Sequence, residues 1–195
     1  MKKILLILSV IVIVSCKTEN KEAQYEETNT VENTGNCKSG NALKKFSTLK
    51  EMLADSRDFN EDGGTLKFIS LDEKKLHVQI SKPVLENDLE RVKNEIVKRD
   101  IIYVAYQTFA QTTINELTIT SVPNSNDNPK KYFEKYKQTV KINRGKAKEI
   151  LKKYLDSEDF SILYEEQNGM WLPSKNFSVL KFEKLDEVFD EINNK

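Results

Sequence analysis

The chain has 195 residues, with 31 Lys and Arg against 31 Asp and Glu, a formal net charge of zero. A balanced charge of this kind lacks the basic face that nucleic-acid binding needs, and excludes that partner class. Only two cysteines and one histidine are present, which excludes disulfide scaffolds and zinc sites built on Cys or His clusters.

The chain opens with Lys2 and Lys3, followed by an apolar run from Ile4 to Val14. A membrane-spanning helix needs about 20 apolar residues. The shorter run has the length of a secretory h-region. Lys17, Glu19, Lys21 and Glu22 then end the apolar character at once.

The border itself, Ile13-Val14-Ser15-Cys16, resembles the lipobox of bacterial lipoproteins. In that family the cysteine thiol accepts a diacylglycerol group, and a small residue before it lets the signal peptidase reach the scissile bond. The resemblance covers residues 1–16 alone. It implies a signal peptide over 1–15, lipid at Cys16, a mature chain beginning at that cysteine, and palmitate-type acylation of its new amine. The membrane is then a partner through the lipid rather than through a spanning helix. Several acyl chains hold a protein firmly, at about 0.8 kcal/mol per buried methylene. The expected address is the bacterial cell envelope, with the outer membrane favoured and its periplasmic and external faces both open.

Residues 16–37 read as the lipidated cysteine and a flexible acidic tether. KTENKEAQYEETNTVENTGN has almost no large apolar groups and does not offset its chain entropy by burial. As a random coil it reaches roughly 25 Å. Cys37, at the end of the tether, has no partner within the mature chain. It is either an incidental small residue or an intermolecular disulfide in an oxidising compartment.

Residues 38–195 are long enough for one globular domain. Leu43, Phe46, Leu49 and Leu53 form a helical stripe over residues 41–56, and FNEDGG ends it. LKFIS and KLHVQIS read as two strands of a hairpin, with Leu76, Val78 and Ile80 on one face. Pro83 is placed at the start of a helix, with Leu85, Leu89, Val92 and Ile96 as its apolar stripe. The apolar stretch after it, IIYVAYQTFAQ, prolongs that helix to about residue 111 in preference to starting a strand. ELTITSV and YKQTVKI are strands separated by the loop PNSNDNP, and Asn143 caps a helix over RGKAKEILKKYL. Short helical pieces around EEQNGMWLPS, then a helix carrying Leu185, Val188, Phe189 and Ile192, complete the chain. The predicted fold is α+β: an antiparallel or mixed sheet of about four strands against a long helix and further helices.

Few residues carry recognisable chemistry. Asp58, Asn60 and Asp62 alternate before Gly63, as in the first half of a calcium loop. The bidentate Glu that closes such a loop is replaced by Ile69, and an ordinary Asx-rich turn explains the same residues. Calcium is the one cofactor the sequence suggests. His77 lies on the less apolar face of a hairpin strand, and no nucleophile elbow or phosphate-binding glycine motif accompanies it. Glu86, Asp88, Glu90, Glu95 and Asp100 fall mainly on the polar face of the long helix, as a solvated face does. Trp171, in GMWLPS, is a candidate interface anchor, with closure of a small core as its structural reading. KKYFEKYK interleaves bases and aromatics, which strand and sheet packing explain. The function expected from all this is a lipid-anchored envelope protein with a non-catalytic domain that binds an unknown protein or small molecule. An envelope hydrolase acting through carboxylates and a toxin-neutralising lipoprotein are the alternatives.

Overall fold

The computed structural model describes residues 42–72 and 74–194. The leader, Cys16, the tether and Cys37 lie outside the described residues. Helix α1 spans Leu49–Ser56 and starts later than the apolar stripe suggests. Thr48 is the reason. Its Oγ1 accepts from Glu51 N, and Glu51 Oε2 accepts from Thr48 N, which fixes the first turn as a capping box. Leu43 and Phe46 therefore lie in irregular chain ahead of the helix, Leu43 buried and Phe46 partly so.

Strands β1 (Leu66–Ser70) and β2 (His77–Ile80) pair antiparallel, with Leu66 opposite Ile80 and Phe68 opposite Val78. Pro83 does not start a helix. Pro83–Val84 forms a two-residue strand, β3, parallel to β5 (Asn124–Ser125). The ladder there uses the carbonyls of Lys82 and Val84, which accept from Asn124 N and Asn126 N, so the missing proline N–H costs nothing. Asp88 Oδ2 then accepts from Leu85 N in a turn, and the long helix α2 (Glu90–Gln111) begins after it. Leu85 and Leu89 are left 51% and 67% exposed. The buried stripe of α2 is consequently rotated from the expected one, running through Lys93, Val97, Asp100 and Ile101.

β4 (Glu116–Ser121) returns parallel to β2, with Val78 opposite Ile119, so α2 is the crossover of a β2–α2–β4 unit. β6 (Gln138–Asn143) pairs antiparallel with β4, giving a mixed four-stranded sheet in the order β1-β2-β4-β6. Leu66, Val78, Ile80, Leu117, Ile119, Val140 and Ile142 form its buried face. Helix α2 packs on it, joined by α3 (Arg144–Leu155) and by α5 (Leu185–Asn193), whose Leu185, Val188, Phe189 and Ile192 are all buried. Asn143 Oδ1 accepts from Lys146 N and caps α3 as expected. The fold is α+β.

The segment after α3 carries the expected short helical pieces, with a hairpin at the turn between them. A 3₁₀ turn (Phe160–Leu163) leads into a hairpin of β7 (Tyr164–Gln167) and β8 (Met170–Pro173). Asn168 and Gly169 close it with φ of 53° and 80°, the left-handed pair that a tight two-residue hairpin turn requires. Helix α4 (Lys175–Ser178) follows and widens into a π-turn over Val179–Glu183, where Lys184 N donates to Val179 O. Single π-turns of this kind are frequent at functional sites.

Candidate functional site

The groove between α2 and the π-turn brings together five charged side chains. It has a volume of about 460 Å³, and its walls carry Asp58, Lys82, Arg99, Asp100, Tyr103 and Lys181. Arg99, Asp100 and Tyr103 come from α2, Lys82 from the link between β2 and β3, and Lys181 from the π-turn. Among the described residues, none of the ion pairs involves Lys82, Arg99, Lys181, Asp58 or Asp100.

The cations instead lie over aromatic rings. Lys181 Nζ is 4.6 Å from the Tyr103 ring centroid and 4.9 Å from that of Phe177. Lys82 Nζ is 4.9 Å from Phe59, and the Arg99 guanidinium 5.6 Å from Phe182. Ring faces hold a cation in place while leaving its charge available to an anion.

Asp100 is 8% exposed, and its Oδ2 has no hydrogen-bond partner among the described residues. Burial pushes its carboxyl up to about 7, against the pull of Lys82, Arg99 and Lys181. Burial also lowers Lys181 from the ordinary lysine value, partly offset by Asp58 and Asp100. Near neutral pH the groove thus combines cations with a carboxyl poised between its two forms.

Behind the groove lies a second cavity of about 230 Å³, sharing Asp58, Tyr103 and Pro173 with the first. Tyr103 OH donates to Asp58 Oδ2 at 2.6 Å on this shared wall. Gln107 and Gln111 follow Tyr103 at successive four-residue steps along α2, which puts all three on one face. The β7–β8 hairpin supplies Tyr164 and Trp171 opposite. Gln107 Oε1, Gln111 Oε1, Tyr164 OH and Trp171 Nε1 are all buried without a hydrogen-bond partner among the described residues.

The residues singled out from sequence distribute unevenly over this geometry. Asp58 is at the site, bonded to Tyr103. Asn60 Oδ1 accepts from Gly63 N, three residues on, at 2.5 Å, which closes the turn on itself, and Asp62 is exposed. Among the described residues, no group of three or more His, Cys, Asp or Glu side chains converges. Trp171 is half-buried against the core with its indole on the inner cavity. His77 lies elsewhere, with Nε2 2.9 Å from Thr120 Oγ1 on the polar side of the sheet, and burial lowers its pKa. Of the carboxylates expected on the long helix, Glu90 and Glu95 pair with Lys135 and Arg91 on its solvated face, and Glu86 pairs with Lys131 from the turn ahead of α2. Asp100 does not share that face, because the rotated stripe turns it inward.

No family model, curated protein or solved structure matches the chain. Among the described residues, no helix is long and apolar enough to cross a membrane.

Proposed function

We propose that this chain is a lipid-anchored protein of the bacterial cell envelope whose domain binds a small anionic ligand in the groove beside α2. The anchor rests on the lipobox-like Ile13-Val14-Ser15-Cys16. The binding role rests on one observation: Lys82, Arg99 and Lys181 converge on one groove without a carboxylate ion pair among the described residues. Three cations face two carboxyls on these walls, Asp58 and Asp100, and burial holds Asp100 partly protonated near neutral pH, so the balance favours a ligand that brings negative charge.

The test is calorimetric titration of the full chain in detergent with inorganic phosphate and with acetate. Binding of either anion, abolished by Lys181→Met, supports the reading. Equal response of wild type and variant overturns it.

A hydrolase reading has one specific observation in its favour. Asp58 and Asp100 face the same groove, and Asp100 titrates near neutrality, as a general acid does. Asp100→Asn separates the two roles. It leaves anion binding intact if the groove only binds, and abolishes turnover of an esterified or glycosidic substrate if the groove catalyses.

A further inference from the structure

We infer that the groove and the inner cavity form one bipartite site for an acidic monosaccharide, whose carboxylate lies among Lys82, Arg99 and Lys181 while its hydroxylated ring lies against Gln107, Gln111, Tyr164 and Trp171. The inference rests on the anion-binding reading of the groove and adds the identity of the ligand. The two cavities share Asp58, Tyr103 and Pro173, so a molecule of sugar size reaches both.

The unpartnered atoms define the chemistry. Gln107 Oε1 and Gln111 Oε1 accept, Trp171 Nε1 donates, and the Tyr164 hydroxyl does either. A hydrocarbon would leave all of these unpaired and desolvated. Inorganic phosphate carries one or two hydroxyl donors near neutral pH, too few for the four unpartnered atoms, and has no C–H face. The four hydroxyls of a hexuronate ring each donate and accept, and meet the mixed set. The Trp171 and Tyr164 rings add apolar faces for its C–H surface. The inner volume of about 230 Å³ takes a single hexose-sized ring but not a chain of them.

A ligand that spans both cavities parts the Tyr103–Asp58 hydrogen bond on their shared wall. Asp58 lies in the exposed turn after α1, next to Arg57 at φ 58°, so the motion falls on a turn rather than on the core. The freed Asp58 carboxylate then accepts from a sugar hydroxyl in place of the phenol.

The experiment titrates the full chain in detergent with D-glucuronate, D-glucose and inorganic phosphate. Trp171 is the single tryptophan, so its emission reports on the inner cavity alone. D-glucuronate is expected to bind about tenfold or more tighter than phosphate or glucose and to shift Trp171 emission, whereas phosphate leaves the emission unchanged. These comparisons need only the wild type. Tyr164→Phe removes an unpartnered hydroxyl and nothing else. It should weaken D-glucuronate about tenfold and phosphate not at all, with the melting temperature unchanged or raised. D-glucuronate binding no tighter than phosphate, with silent Trp171 emission, overturns the inference. If Lys181→Met still abolishes phosphate binding in that case, the groove reading survives it. If Lys181→Met leaves phosphate binding untouched, both fall. Trapped water in place of the sugar ring would appear as Tyr164→Phe lowering the melting temperature while D-glucuronate affinity stays the same, which also overturns the inference.

Discussion

Tyr103 OH donates to Asp58 Oδ2 at 2.6 Å, and this bond lies on the wall common to the outer groove and the inner cavity. The Tyr103 ring itself is fixed by stacking on Phe177, at 5.7 Å between centroids. Tyr103→Phe therefore removes the bond and leaves the packing. Asp58 is exposed and regains water, so the loss is the net value of one hydrogen bond, about 1 kcal/mol. Urea denaturation of wild type and variant at neutral pH measures it. A loss several times larger would mean that the ring also moves.

Asp100 makes stability depend on pH in a direction opposite to that of a salt-bridged acid. Its folded pKa is raised from 3.8 to about 7, so the native state holds the proton more tightly than the unfolded chain does. Stability therefore falls as pH rises between these two values. It is unaffected below them, and the full penalty persists above. At 1.36 kcal/mol per unit the penalty reaches at most about 4 kcal/mol. Asp100→Asn is neutral at every pH. The variant should be more stable than wild type at pH 8 and lose that advantage by pH 4, as measured by denaturant midpoints at both values. An equal difference at the two values would place the Asp100 carboxyl in water.

The same ionisation bears on the ligand. Above pH 7 the Asp100 carboxylate adds a negative charge beside Lys82, Arg99 and Lys181. A carboxylate ligand, fully ionised above pH 5, should bind wild type more weakly at pH 8 than at pH 6, and Asp100→Asn equally at both. Calorimetry with D-glucuronate checks this, and a variant that kept the pH dependence would assign it to another group.

The main elements were legible because their patterns are local. The alternation in ELTITSV, the Leu185-Val188-Phe189-Ile192 stripe and the Asn143 cap each determine an element from its own residues. The start of the long helix is not legible locally, because Pro83 suits either a first helical turn or an edge strand, and its partner, Asn124, lies far along the chain. The β7–β8 hairpin does have a local signal: Asn168-Gly169 between YEEQ and MWLP is a two-residue turn by composition alone. The site was partly legible too. Arg99, Tyr103, Gln107 and Gln111 recur every four residues through a stretch that otherwise reads as apolar on all sides. A polar stripe inside a buried helix marks a lined cavity. What no local pattern contained was the other wall, since Asp58, Lys82, Tyr164 and Lys181 come from separate elements brought together only by the packing around α2.

Cys16 carries the proposed anchor. If the thiol accepts diacylglycerol, wild-type protein expressed in a bacterial host incorporates radiolabelled palmitate and partitions into the detergent phase of a Triton X-114 separation. Cys16→Ser does neither. Cys37 provides the internal control, because Cys37→Ser removes the other thiol and should leave the label in place. Label that persists in Cys16→Ser would refute the lipid site.

Arg144 closes the far end of α2. Its Nη1 donates to Phe109 O at 2.7 Å, and its Nη2 to Thr112 O and Ile114 O, both at 2.8 Å. The guanidinium also lies over the Phe109 and Phe160 rings, at 5.2 and 5.5 Å. The last carbonyls of a helix have no partner within it, and a fork of fixed donors satisfies several at once. Lysine keeps the charge but not the fork, so Arg144→Lys should cost roughly 2 kcal/mol or more through carbonyls left unpaired. The bonds are to neutral oxygens in a half-buried setting, so the loss should change little with salt. Lys141→Met is the counterexample: its pair with Glu116 is exposed on both sides, and removing it should change stability by less than about 1 kcal/mol. Hydrogen exchange should localise the Arg144→Lys effect to the amides of the last turn of α2. A loss spread evenly over the sheet instead would show that Arg144 acts through α3, whose first residue it is, rather than through the end of α2.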